Sequence, residues 1–229
     1  MSATSPEVAV HSRHSIAPLW HTIGLVALLL AISIAGAELH AGVQPTRTSG
    51  NAKLYLLVIV VEWLLVAYVK LGLRPHIRVS DLLGRKWDTI GRICWDIALA
   101  IGLVLIWIAV APLVIRLLGP EHWGSFLDLL PHGKAEMSLW IVMALSAGFC
   151  EELIFRGYLQ RQISDLTDSA VAAVLLQALL FGLAHGYQGI KNMTLISVLG
   201  VLYGILVFFR KSLIPGMLAH AASDIISVL

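Results

Sequence analysis

Seven apolar runs, each about 20 residues long, leave this chain few ways to fold. They fall at roughly 18–38, 53–72, 93–115, 137–159, 170–187, 192–209 and 213–229. A helix of that length crosses a hydrocarbon core of about 30 Å. A strand reading fails, because the runs are too long and the alternating pattern of a membrane barrel is absent. The predicted fold is all-α: a polytopic membrane helix bundle with about seven transmembrane helices. Composition agrees, since 58% of the 229 residues are hydrophobic and only 13% are charged, against about 25% in soluble domains. The net charge of +2, with the cations scattered through short loops, speaks against a nucleic-acid partner. The lipid bilayer is the expected surrounding. Cys94 and Cys150 lack CxxC spacing, so neither a disulfide framework nor a cysteine-type zinc site is expected. Cys150 reads as a small packing residue.

The runs also organise the chain. Residues 1–15 are polar and read as a disordered tail. Residues 16–136 hold three spans with interfacial loops, and residues 137–229 hold four spans. Arg13 and Ala35-Gly36-Ala37 imitate a secretory signal, but the first run exceeds a signal core of about 7–15 residues, so an uncleaved span is expected. Two loops read as interfacial: SDLLGRKWDTIG, with a serine cap, and GPEHWGSFLDLLPHG, with Trp123 and Phe126. With the loop 70–92 inside, eleven basic residues fall inside (Arg13, Lys70, Arg74, Arg78, Arg85, Lys86, Arg92, Arg156, Arg161, Arg210, Lys211). Five fall outside (Arg47, Lys53, Arg116, Lys134, Lys191). That asymmetry predicts a cytoplasmic N-terminus and an outward C-terminus, with the cell (inner) membrane as the location.

An ionisable side chain at a span centre costs about 2.5–3.5 kcal/mol on insertion scales and calls for a reason. The last four runs contain six: Glu151, Glu152, Arg156, His185, His220 and Asp224. Glu152 and Arg156 are four apart and share a helix face, so they can pair. Glu151 is rotated by about 100° and left for another partner. His220 and Asp224 are also four apart, and a histidine donating to a carboxylate is fixed in orientation. Phe181 lies one turn before His185 on its face. With a turn near Ser164, Glu151 lies about 20 Å below it. His185, His220 and Asp224 fall at similar depth. Each feature has a plainer reading: a packing ion pair, a buried structural histidine, an interhelical hydrogen bond. Taken together, two histidines and three acids in three spans point to a functional polar site. Glu62 and Asp96, in earlier runs, read as near-interface or paired groups.

EELIFR fits EExxxR, FGLAH fits FxxxH and HAASD fits HxxxN/D, in order and each on its own predicted span. This set resembles the CAAX-protease and bacteriocin-processing family of intramembrane proteases, also called the Abi or CPBP family, over about residues 137–229. The resemblance implies an endopeptidase that cleaves membrane-associated proteins or peptides. It implies that Glu151 and His185 activate a water, that His220 and Asp224 stabilise the oxyanion or complete the polar site, and that Glu152 and Arg156 support Glu151. Amide hydrolysis needs such a base and such a donor. Family members associated with prenyl substrates carry asparagine where this chain has Asp224, which in ionised form only accepts. Glu151, His185, His220 and Asp224 are also the candidates to hold a Zn2+, although HExxH is absent. Water activation without a permanent metal is the expectation. Two other readings stay open: a proton-coupled transporter, which also needs intramembrane acids and histidines, and a non-catalytic immunity protein of the same fold. Nothing in the sequence specifies an oligomeric state.

Overall fold

In the computed structural model, which describes residues 15–42, 51–119 and 129–228, apolar helices run back and forth between two ends of a bundle. They are α1 (Leu19–Gly42), α2 (Ala52–Gly72), α3 (Val79–Leu82), α4 (Ile90–Leu118), α5 (Gly133–Thr167), α6 (Ala170–Ala184), α7 (Ile190–Arg210) and α8 (Ile214–Ile226). Among the described residues there is no strand; one isolated antiparallel bridge joins Gly84 to Ser212. The expectations for Arg13, for the tail 1–14 and for Trp123 and Phe126 lie outside the described residues, as does Arg47.

Among the described residues five helices are long and apolar enough to cross a membrane: α1, α2, α4, α5 and α7. The other two expected spans, at 170–187 and 213–229, are shorter helices. α6 and α8 have 15 and 13 residues, or about 22 and 20 Å of helix, which falls short of a core about 30 Å thick. The apolar run at 170–187 is long enough, but the backbone unwinds within it. α6 stops at His185, and a 3-10 turn over Gly186–Gln188 follows, with Gly189 at φ 91°. Non-helical backbone at membrane depth is tolerated where it is buried in protein or lines a cavity. Many large apolar side chains point outward, among them Trp20, Leu71, Ile90, Leu117, Val171 and Phe209, as expected of a lipid-facing surface.

One end of the bundle gathers the basic loops. Arg74 N–H donates to Ile16 O (3.0 Å), Arg85 N–H to Lys211 O (2.8 Å), and the Arg161 guanidinium to Asp81 O (2.8 Å). The opposite end is tied by Tyr55 donating to Leu129 O (2.7 Å) and by Lys191 donating to Gly119 O (2.9 Å). The expected interfacial helix over residues 80–91 is a single turn, α3. Asp81, rather than Ser80, caps it by accepting from Arg78 N–H at 2.8 Å. That bond, with nearby cations, holds the Asp81 carboxyl below its usual range.

The core lies between α1, α2 and α5. Leu25, Leu65, Val69, Leu153 and Phe155 are buried there. Tyr158 of α5 makes the polar clamp, with its hydroxyl 2.9 Å from His21 Nδ1 and 3.0 Å from Thr22 Oγ1. On the other flank, fully buried Asp96 of α4 accepts from Arg210 Nε (2.6 Å) and Trp87 Nε1 (2.9 Å), so the paired reading of Asp96 holds. The polar residues that do not serve these joints collect between α2, α5, α6 and α8.

Candidate active site

α5 changes its winding where the two glutamates lie. Residues Glu152–Leu159 form a π-helical stretch, closed by Gln160 N–H donating to Phe155 O. Such widened turns occur mostly as short insertions in α-helices and often mark functional sites. The expected Glu152–Arg156 pair is present: Arg156 donates to Glu152 Oε1 at 2.9 Å, and neither side chain has any exposure. Arg156 lies over the rings of Phe181 (4.2 Å) and Tyr203 (5.0 Å), which supplements the ion pair in a dry setting.

His185 owes its place to the end of α6. The carbonyl of Phe181 belongs to the last helical turn and has no intrahelical partner there. The His185 ring lies against it, Nδ1 to Phe181 O being 2.8 Å. A carbonyl only accepts, so Nδ1 carries the hydrogen and Nε2 faces the site. Phe181 also packs edge-on against both His185 and His220, as its position one turn before His185 predicts.

His220 departs from expectation. Its Nδ1 lies 3.1 Å from Glu152 Oε1, so the carboxylate that orients this ring is Glu152. Asp224 Oδ2 stands 3.7 Å from His220 Nε2, too far for a direct hydrogen bond. The i, i+4 spacing puts Asp224 on the right face, but the interhelical contact wins the ring nitrogen. Close approach of α8 to α5 makes that contact: a Cβ on Gly216 would lie 3.1 Å from Glu152 Oε2. Tyr203 of α7 stacks on the other side of the His220 ring, 5.4 Å between centroids and 16° between planes.

Glu151 completes the arrangement. Its two oxygens lie 3.7 Å from His185 Nε2 and from His220 Nε2. Each gap exceeds a hydrogen bond and fits a polar contact made through a water. The side chains of Glu152 (0% exposed), His220 (7%), Glu151 (17%) and Asp224 (34%) grade from closed to open, so the site opens on the Asp224 side. All five expected acids and histidines are therefore in one cluster, with Arg156 and Phe181 behind it. Among the described residues no three His, Cys, Asp or Glu side chains are placed to hold an ion. No step below passes through Zn2+.

One residue escaped the sequence reading, and another has a different place from the one expected. Tyr203 was visible only as a polar tip within an apolar run. Glu62, expected near an interface or in a pair, has no ion pair among the described residues. It sits mid-way along α2, 4% exposed, and accepts from Ser146 Oγ at 2.7 Å.

Residues 133–226 match the family described as Type II CAAX prenyl endopeptidase Rce1-like. The matched segment is α5 to α8, the part of the chain that carries all three motifs, and this is the family type that they resemble. No curated protein and no solved structure matches the chain.

Proposed function

We propose that this integral membrane protein is an intramembrane endopeptidase of the CAAX-protease type, hydrolysing a peptide bond in a membrane-associated protein or peptide. The observation that carries the reading is Glu151 between the Nε2 atoms of two histidines from different helices, 3.7 Å from each. A water held there loses a proton to Glu151 while its oxygen bonds to the scissile carbonyl carbon. The carbonyl electron pair moves onto oxygen. His220, in its protonated form, presents Nε2–H to that oxyanion from the open side of the site. Collapse re-forms the carbonyl and breaks the C–N bond, and the proton held by Glu151 goes to the departing amine. Glu152 and Arg156 keep the His220 ring in place throughout, through the 3.1 Å contact to Nδ1 and the buried ion pair. Asp224 lies at the open edge, near Nε2.

The end bearing Arg74, Arg85, Arg161 and Lys211 is assigned to the cytoplasm, in a cell membrane, on the basic asymmetry of the loops. The test is cleavage of a tagged membrane peptide by purified protein. Glu151→Gln should insert and fold but not cleave, and should retain substrate for identification by mass spectrometry. Cleavage near the wild-type rate by that variant would remove Glu151 from the mechanism. Ion flux in proteoliposomes without any cleavage would favour a transporter.

A further inference from the structure

The carboxyl of Glu62 is expensive where it is. It lies half-way along a membrane helix, 4% exposed, and no cation stands within ion-pair distance of it among the described residues. One oxygen accepts from Ser146 Oγ at 2.7 Å; the other, Oε1, is buried with no hydrogen-bond partner. Burying a carboxyl with half its acceptor capacity unused lowers stability, and a leucine or glutamine would pack the same gap. Its surroundings suggest what the cost serves. Ser146 and Cys150 lie on α5 in the turns just before Glu151, and the Ser146 hydroxyl is 3.9 Å from Cys150 Sγ. The charged and titratable groups within electrostatic reach of Glu62 are Cys150 and Glu151 from α5, His220 and Asp224 from α8, and Tyr187 from the 3-10 turn. These are the groups of the candidate site and its wall. α2 lies outside the segment 133–226 that matches the family.

We propose that Glu62 is a further positioning residue of this site, anchored by Ser146 and acting through space on the Glu151 and His220 pair. The inference rests on the endopeptidase reading given above. Through Ser146 the Glu62 carboxyl is tied to α5 just over one turn before Glu151, and acidic groups that interact across a site with little water titrate as a unit. A residue kept for function at a cost in stability gives a signature opposite to that of a packing residue.

The experiment compares wild type, Glu62→Gln, Glu62→Asp and Ser146→Ala for cleavage of the same tagged membrane peptide, with melting in detergent measured alongside. Glutamine keeps the size and the acceptor for Ser146 but removes the ionisable group. Glu62→Gln should lower kcat about tenfold, change KM less than twofold, and leave Tm equal or higher. Its pH–rate profile should change shape, because one coupled carboxyl is gone. Glu62→Asp, which keeps the carboxyl, should recover part of the rate. Ser146→Ala, which frees the anchored oxygen, should show a smaller kcat defect of the same kind. A Glu62→Gln enzyme with wild-type kcat and pH profile would overturn the proposal, as would a variant whose Tm falls while kcat holds. If wild type cleaves and Glu151→Gln does not, such a result leaves the endopeptidase reading intact. A wild type without hydrolysis would overturn both.

Discussion

Replacing Arg156 by methionine isolates the electrostatics at the base of the site. Methionine fills much of the space of the arginine stem but brings no charge and no donor. Arg156 and Glu152 are both fully buried, 2.9 Å apart, so no solvent screening discounts the pair. Removing one member of such a pair costs about 3–5 kcal/mol, because the other is left charged in a dry setting. The His220 Nδ1–H at 3.1 Å still serves Glu152 and offsets part of this loss. The contacts over Phe181 and Tyr203 are lost as well. The low end, about 3 kcal/mol, is the expected net cost. For a chain of this size each kcal/mol moves the midpoint by about 2–4 °C, so Tm should fall by about 6–12 °C. The assay is thermal unfolding in detergent, followed by circular dichroism and by the monodisperse fraction. The double variant Arg156→Met with Glu152→Gln should melt higher than Arg156→Met alone, since it leaves no unpaired charge. A single variant melting within 2 °C of wild type, or a double variant with simply additive losses, would refute the reasoning.

Three further outcomes are expected. Asp224→Asn should keep substantial activity and Asp224→Ala should lose most of it, because Asp224 stands 3.7 Å from Nε2 and an amide supplies the same polar edge; chelators should leave the wild type active. Stoichiometric zinc in active protein, with an inert Asp224→Asn, would reverse that expectation. Gly148→Ala should lower Tm by several degrees, since a Cβ there would lie 2.8 Å from Met217 O and 3.0 Å from Ala221 N, both in the backbone of α8, which cannot yield without moving His220; an unchanged midpoint would mean that α8 shifts freely. Reporters fused after Lys86 and after Leu229 should lie on opposite sides of the membrane, the first cytoplasmic; the same side for both would break the alternation of helices between the two ends.

The sequence by itself determined much of what depends on neighbours three or four residues apart. Apolar length specified membrane helices. The i, i+4 spacings placed Arg156 on Glu152, Phe181 on the face of His185 and Asp224 on that of His220, because side chains on one helix face meet whatever the rest of the fold does. Where the chain stops being a regular helix was less legible. The π-helical turn after Glu151 and the short length of α6 depend on what the adjoining helices supply to freed backbone groups. An apolar run of 18 residues reads the same whether or not it unwinds near its end. Only tertiary structure decided the pairings between helices. His220 has carboxylates on two elements within reach, and the approach of α8 to α5 over Gly216 gives its Nδ1 to Glu152 and leaves Asp224 at the open edge. Glu62 was in plain view at the centre of an apolar run, yet its contact with Ser146 depends on how α2 lies against α5. Such contacts join residues 68 and 84 positions apart, and no periodicity within either helix encodes the rotation at which two helices meet.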